Sequence, residues 1–326
     1  MRNVIIVGSQ GQDGRLLYER LAAEGCALLG IDRRGIRHNV RAVDMDYVPV
    51  DVLDRTSVDR IVRAFTPDAV FYLAAFHQSS EDECPFDDAE LYLRSHDVHV
   101  RGPSHLLETL RRHAPRARFF YAASSHCFGE ASTSLQDEST PLRPVCPYGI
   151  SKTAGVQLCR MYRNRHGLQA SCGFLYNHES PLRSPSFLSA KIVRGAVEIA
   201  RRQRDRLVLG DLSARVDWGY APDYIDAMIR IVRLDAADDF VIASGRAHSV
   251  GDFVSIAFAH LEIDWRRHVE ADGSLLTKSR PAAALVGDSS KLRRKTGWAP
   301  SVSFADVVRL LVDAELRRTA DAAHPA

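Results

Sequence analysis

Tyr148 and Lys152 stand four residues apart in the stretch YGISK, a spacing that puts both side chains on one face of an α-helix. A phenol is a poor base at neutral pH because its usual pKa is about 10, but a nearby ammonium group favours the phenolate. The pair could therefore take a proton from a substrate hydroxyl. Apolar residues continue the helical pattern through Val156, Leu158 and Met161.

A second group of polar residues ends the apolar run at 118–122. Ser124 is the candidate third catalytic residue, because its hydroxyl could share the substrate oxygen with Tyr148. Ser125 and His126 would face the substrate farther along. A neutral imidazole can abstract a proton near pH 7, although histidine is also tolerated at strand ends without any catalytic role.

Three glycines, spaced three residues apart, follow the first apolar run (3–7) and precede a helical pattern. In such a loop the first glycine permits a tight turn, the second lets the backbone approach a pyrophosphate, and the third packs helix on strand. The helix amino end then faces the phosphates. The sequence predicts a dinucleotide site formed by Gly8, Gln10, Gly11, Gln12, Asp13 and Gly14, with Tyr148 and Lys152 near the nicotinamide ribose.

The residues at the end of the second predicted strand do not decide between NAD and NADP as the cofactor. Asp32 would accept hydrogen bonds from ribose hydroxyls, which favours NAD, whereas Arg33 and Arg34 suit the 2′-phosphate of NADP. Five further residues follow later strands and are candidate cofactor contacts, although each is equally compatible with an ordinary strand end: Asp51 and Val52 for adenine, and Leu73, Ala74 and Ala75 for ribose.

Apolar, β-branched runs at 3–7, 27–31, 47–50, 69–73 and 118–122 alternate with helical segments. Alternation of this kind predicts an α/β fold, a doubly wound parallel (Rossmann) sheet, with a smaller C-terminal substrate-binding α/β region. We expect a dinucleotide-binding domain over 1–176, joined by a strand returning near 240–245, and a substrate region over 177–326. A basic helix is predicted at 188–206, and the acidic stretch 79–88 is a surface loop or a lid.

Composition narrows the class of protein. The 326 residues are 45% hydrophobic and 26% charged, as in a globular protein, and 43 Lys and Arg balance 41 Asp and Glu. We therefore expect no nucleic-acid or membrane partner. The six cysteines form no CxxC pair and are interpreted as thiols, and no metal site is predicted. With no leader and no apolar stretch near 20 residues, the expected location is the cytoplasm.

The segments GSQGQDG, LAA, SSHCFG and YGISK together resemble the extended short-chain dehydrogenase/reductases. A narrower resemblance, over nearly the whole chain, is to the GDP-mannose 4,6-dehydratase family. It is carried by VGSQGQDG, YNHESP (176–181), VDWGYAPDY (216–224), DFVIASG (239–245) and the GD and GWAP motifs at 287–288 and 297–300.

This resemblance implies a bound nicotinamide cofactor, a nucleotide-diphosphate sugar substrate, favoured as GDP-linked, and oxidation at sugar C4 by Ser124, Tyr148 and Lys152. Water would then be lost across C5 and C6, and hydride returned to C6. It also implies a homodimer or homotetramer. The residues expected to hold the nucleotide and its diphosphate are Asn177, Glu179, Arg183, Lys191 and Arg280, with Arg215 replacing an arginine that the family carries at the position of Val216. Lys191 is also compatible with a solvated helix face.

The sequence departs from the family at His126, where the dehydratases carry a glutamate base for C5. Related epimerases have a cysteine there, and reductases need no base. The alternatives to a dehydratase are therefore a 4- or 3,5-epimerase and a 4-keto-sugar reductase. A non-catalytic sensor that keeps its cofactor is a further alternative, against which the joint presence of Ser124, Tyr148 and Lys152 argues.

Overall fold

The computed structural model describes residues 1–33, 35–38, 50–77, 85–275 and 284–323. The strands in this part of the chain are β1 (Asn3–Val7), β2 (Ala27–Asp32), β3 (Gly35–His38), β4 (Ala69–Tyr72), β5 (Arg118–Ser124), β6 (Gln169–Leu175), β7 (Asn177–Glu179), β8 (Leu207–Leu209), β9 (Arg215–Tyr220), β10 (Asp239–Ile242), β11 (Ala247–Ser249) and β12 (Val269–Ala271). The helices are α1 (Gln12–Ala23), α2 (Arg55–Phe65), α3 (Asp88–His96), α4 (Gly102–His113), α5 (Pro147–His166), α6 (Leu188–Ala200), α7 (Ala221–Arg233), α8 (Val250–His260), α9 (Ser290–Thr296) and α10 (Phe304–Ala323).

A seven-stranded sheet in the order β10-β6-β5-β4-β1-β2-β3 forms the centre of the fold. Its strands run parallel except for β3, which pairs antiparallel with β2. One face is covered by α2, α4 and α5 and the other by α1 and α7, each through a buried apolar cluster. A sheet buried on both faces explains why its strands read as continuous apolar runs. The predicted doubly wound α/β fold is confirmed.

The predicted strands at 3–7, 27–31, 69–73 and 118–122 match β1, β2, β4 and β5 within two residues at either end. Most of the predicted strand at 47–50, and residues 79–84 of the acidic stretch, lie outside the described residues. The predicted basic helix 188–206 was too long, because α6 ends at Ala200 and Arg202 has a φ of 59°. The charged run that follows has no apolar face to pack, so the chain turns into β8.

Smaller elements complete the molecule. A three-stranded sheet in the order β11-β9-β7 and the pair β12-β8 lie beside a third apolar cluster, to which α6, α8 and α10 contribute. From the second half of the chain, β10 extends the large sheet and α7 packs on its face. Because these two elements come from the predicted substrate region but belong to the large sheet and its covering layer, the predicted boundary at 176/177 stays a prediction. Among the described residues, no helix combines the length and apolar character that crossing a membrane requires.

Candidate active site

The glycine loop is built around contacts that exclude a side chain at two of its glycines. Gly8 has a φ of 84°, and a Cβ there would lie 2.7 Å from the backbone nitrogen of Ala74. A Cβ on Gly14 would lie 2.2 Å from the carbonyl oxygen of Gly8. Gly11 is the exposed N-cap residue of α1. A Cβ on Gly11 would meet only the carbonyl oxygen of Gly8, at 3.4 Å. The loop thus leaves its middle glycine open at a helix amino end, which fits the pyrophosphate of a dinucleotide.

The carboxylate of Asp32 lies at the edge of this loop. Its Oδ2 accepts a hydrogen bond from the backbone N–H of Gln10 at 3.2 Å, and the N–H of Gly8 donates to the carbonyl of Ile31 at 2.8 Å. Arg33 is exposed in the turn that leads to β3, and Arg34 lies outside the described residues. The backbone of the glycine loop therefore holds the Asp32 carboxylate, the group expected to bind the adenosine ribose.

The remaining predicted cofactor residues follow strands or precede helices around the loop. Asp51 accepts from the N–H of Leu53 at 2.9 Å, just before α2, and the carbonyl of Val52 accepts from His105 Nδ1 at 3.0 Å. Ala74 borders Gly8. Of its neighbours, Leu73 is half-buried and Ala75 is exposed.

Gln12 and Asp13 join the glycine loop to β7, a connection that the sequence did not reveal. Asp13 faces His178 Nε2 at 3.1 and 3.0 Å, while Gln12 donates to the carbonyl of His178 at 3.1 Å and accepts from Ser180 at 2.9 Å. His178 also lies 2.6 Å from the carbonyl of Tyr176 through Nδ1. The cofactor loop and the NHES segment are thus one hydrogen-bonded unit.

The Asp13–His178 pair gives stability a predictable pH dependence. Burial alone would lower the pKa of His178, but the charge and hydrogen bond of Asp13 raise it above its usual value; the same pairing holds the pKa of Asp13 below its usual value against burial. The His178 contribution is therefore fully present below about pH 6.5 and lost as pH rises through the raised pKa. We expect Tm to fall less between about pH 6.5 and 8.5 in Asp13→Asn than in the wild type. Equal slopes in thermal melts across that range would contradict this.

Tyr148 and Lys152 lie in the first turns of α5. Cys146 caps this helix, and its Sγ accepts from the N–H of Gly149 at 3.4 Å. Lys152 is 1% exposed, and its Nζ donates to the carbonyl of Ala122 in β5 at 2.6 Å. Burial lowers the pKa of Lys152 to about 8. Burial raises the pKa of the Tyr148 phenol, and a side-chain hydrogen bond with Ser124 partly counteracts this. The predicted trio is therefore assembled where β5 ends and α5 begins.

Three histidine rings surround the Tyr148 ring, all edge to face. The centroid separations are 4.8 Å for His77, 5.1 Å for His99 and 5.6 Å for His126. His126 is exposed, and its Nδ1 lies 3.8 Å from Cys146 Sγ, while Ser125 beside it is buried. Only His126 had been singled out from the sequence. His77 could have been found there as a polar residue just beyond the apolar run at 69–73.

His99 is fully buried in a π-helical turn, Asp97–Arg101, between α3 and α4. The N–H of Phe76 donates to its Nε2 at 3.0 Å, which leaves the ring proton on Nδ1, 2.8 Å from Ser151 Oγ. The Ser151 hydroxyl in turn donates to the carbonyl of Tyr148 at 2.9 Å. Burial holds the pKa of His99 well below its usual value, so this imidazole is neutral, and through Ser151 it is tied to the first turn of α5.

Two of the predicted substrate residues approach this group: Glu179 at the end of β7 and Arg183 in the segment after it. Arg183 Nε lies 3.3 Å from Glu179 Oε2, and its guanidinium covers the Phe187 ring at 3.7 Å. Phe187 stacks on His77 at 5.5 Å. Glu179 is buried and also accepts from Ser189 at 2.6 Å. A cation and an aromatic ring therefore lie beside His77 and Tyr148.

The other predicted substrate residues are more widely spread. Asn177 is exposed at the start of β7, and Lys191 lies half-buried on α6. Arg215 on β9 is exposed and donates to the carbonyl of Ala247 at 2.6 Å, which ties it to β11. Arg280 lies outside the described residues.

Comparison with known proteins places this arrangement in a family. The GDP-mannose 4,6 dehydratase family model matches residues 5–311. GDP-mannose 4,6 dehydratase 2 of Arabidopsis thaliana is 34% identical over 96% of this chain and 86% of its own. Among solved structures, RMD from Pseudomonas aeruginosa complexed with NADPH has a TM-score of 0.80 at 21% identity, covering 97% of this chain and 100% of its own. The dTDP-glucose 4,6-dehydratase of Bacillus anthracis in complex with NAD has a TM-score of 0.79 at 17% identity, covering 98% of both chains. The chain belongs to the GDP-mannose 4,6-dehydratase family.

Proposed function

We propose that the protein is a GDP-hexose 4,6-dehydratase, which oxidises C4 of the sugar with bound NAD or NADP and then removes water across C5 and C6. The observation that carries this is that two groups lie close to the Tyr148 ring. The buried Lys152 Nζ is 5.8 Å from the ring centroid, and the centroid of the exposed His126 ring is 5.6 Å from it. A family member needs a proton acceptor for the C4 hydroxyl and another for C5, and this group offers both.

Oxidation at C4 is assigned to three side chains. Tyr148 removes the proton of the C4 hydroxyl, while Ser124, which shares a hydrogen bond with that phenol, orients the oxygen. Lys152 stabilises the phenolate through its charge, which acts strongly because the group is buried. When bound, a nicotinamide dinucleotide supplies the hydride acceptor for C4 and the hydride donor for C6.

The C5 step is assigned to His126. A carbonyl at C4 acidifies the C5 hydrogen, so an imidazole nitrogen is a suitable base for it. Its exposure and its position beside Tyr148 suit a group that reaches the sugar ring. Ser125, buried beside it, supports the turn that presents the ring.

Binding of cofactor and substrate is assigned on the same basis. The glycine loop, from Gly8 to Gly14, holds the pyrophosphate, and Asp51, Val52, Leu73, Ala74 and Ala75 line the adenosine and ribose positions. Arg183 suits a diphosphate because a guanidinium can bind two oxygens at once. With it we group Asn177, Glu179, Lys191, Arg215 and Arg280 as substrate residues. Titration with NAD and with NADP decides between Asp32 and the two arginines as the determinant of cofactor choice.

We also expect a cytoplasmic enzyme that works as a homodimer or homotetramer. The five cysteines in the described part of the chain are free, as is usual for a reducing compartment. Chemical crosslinking and light scattering measure the oligomeric state.

The function is tested by incubating the purified protein with GDP-mannose and an equimolar oxidised cofactor, followed by mass spectrometry of the nucleotide sugar. Loss of one water without added reduced cofactor is expected. A product of unchanged mass would instead indicate an epimerase, and turnover only with added reduced cofactor, on a 4-keto sugar, would indicate a reductase. The His126→Gln variant serves as the control, since it should oxidise C4 but lose water slowly.

A further inference from the structure

His77 is a second imidazole at the candidate active site that the proposed mechanism has not used. It follows β4 directly, is exposed, and has its ring centroid 4.8 Å from that of Tyr148 and 6.2 Å from that of His126. Phe187 stacks on it at 5.5 Å with an interplanar angle of 16°, which fixes the plane of the imidazole. Two exposed imidazoles thus lie next to each other and to one phenol.

Loss of water from C5 and C6 requires two proton transfers. A base removes the C5 hydrogen, and an acid protonates the C6 hydroxyl, because hydroxide is a poor leaving group. His126 is assigned to the C5 proton, and its Nδ1 lies 3.8 Å from Cys146 Sγ. While His126 holds the C5 proton, a second group can protonate the departing C6 oxygen.

We propose that His77 is the general acid that protonates the departing C6 hydroxyl, while His126 removes the C5 proton. This inference rests on the proposed function. In the step, the C5–H bond breaks and its proton moves to neutral His126; a C5–C6 double bond forms, the C6–O bond breaks, and the oxygen leaves as water with the proton from His77. His77 regains a proton from solvent, which its exposure permits. The proton that Tyr148 took from the C4 hydroxyl and later releases balances the one that His77 takes up.

The surroundings of His77 favour this division of labour. His99, the third imidazole around Tyr148, is fully buried and committed to Phe76 and Ser151, so it is excluded from proton exchange with the sugar. Arg183 stands over the Phe187 ring that stacks on His77, and this cation can hold the sugar's diphosphate close to both rings. The groups that face the reacting carbons are then His77, His126 and Tyr148.

The test compares two substrates whose leaving groups differ in their need for an acid. Fluoride is a far weaker base than hydroxide, so loss of fluoride from GDP-6-deoxy-6-fluoromannose does not depend on a proton donor. His77→Gln is expected to slow water loss from GDP-mannose by about 10²-fold and to leave fluoride loss close to the wild-type rate. His126→Gln is the matched control, since it should slow both reactions by removing the C5 base.

A second readout separates the two steps directly. When His77→Gln is incubated with GDP-mannose in D₂O, deuterium is expected at C5 of recovered substrate, because the C5 proton is still removed while the C6 oxygen stays. Equal slowing of both leaving groups, or unchanged water loss, would overturn the role of His77. If the wild type releases neither water nor fluoride, the proposed dehydration itself fails, and His77 loses this role with it.

Discussion

Tyr148→Phe is expected to lower turnover of the nucleotide sugar by about 10³-fold while cofactor binding stays within a fewfold of the wild type. The substitution removes one oxygen atom and keeps the ring that His77, His99 and His126 meet edge to face. Packing around the ring is therefore preserved. The loss falls on the proton transfer from the C4 hydroxyl, which precedes every later step of the proposed reaction.

Stopped-flow absorbance at the wavelength of reduced nicotinamide measures that first step, and fluorescence titration measures cofactor binding. Tyr162→Phe is the matched control, because Tyr162 lies on the same helix and donates to Glu108 Oε2 at 3.2 Å, away from the Tyr148 group. It should leave the rate unchanged. A Tyr148→Phe rate within tenfold of the wild type would show that another group removes the proton.

The part of this site that was predictable from sequence is the part held by local geometry. Tyr148 and Lys152 share a helix face whatever the rest of the chain does, and Gly8, Gly11 and Gly14 lie close together in sequence where β1 leads into α1. Strand periodicity gave the parallel sheet, whose carboxyl ends bring these segments together. Each of these inferences uses a residue pattern within a window of about 15 positions, which residue spacing encodes directly.

The features that escaped prediction depend on long-range contacts. His77 reaches Tyr148 across 71 positions, and Asp13 meets His178 across 165. No spacing rule relates such residues; their proximity follows from the order of strands in the sheet. His99 was hidden for another reason, since a π-helical turn shifts the side-chain register at that point, so regular helical periodicity assigns it no distinct face.

Catalysis and stability make opposing demands at Lys152. The ammonium is 1% exposed, and its Nζ donates to a neutral carbonyl, that of Ala122. A buried charge with so little compensation destabilises the fold, and the pKa lowered to about 8 expresses that penalty. Relative to a usual value of 10.5, the shift corresponds to about 3 kcal/mol of differential stability between the protonated and neutral forms.

The pH dependence follows from which state holds more protons. Below about pH 8 the lysine is charged in both folded and unfolded chains, so the penalty is fully present. Between that value and about 10.5 the unfolded chain holds the proton that the folded protein has lost, so stability contributed by this group rises with pH. Replacement by an uncharged side chain should remove that rise.

Lys152→Met is therefore expected to stabilise the cofactor-free protein while nearly abolishing catalysis. Deleting the buried charge should raise the free energy of unfolding at pH 7 by about 1–2 kcal/mol, after allowance for the lost hydrogen bond to Ala122, and raise Tm by ~2–4 °C. Turnover should fall by about 10²–10³-fold because the Tyr148 phenolate loses its neighbouring cation. Thermal melts at pH 7 and pH 10, with single-turnover rates, measure both effects.

Lys291→Met provides the comparison, since Lys291 pairs with Asp238 Oδ2 at 2.6 Å and its loss should not stabilise the fold. A Lys152→Met protein that melts below the wild type at pH 7 would mean that the surroundings of the ammonium compensate its charge better than its lowered pKa implies.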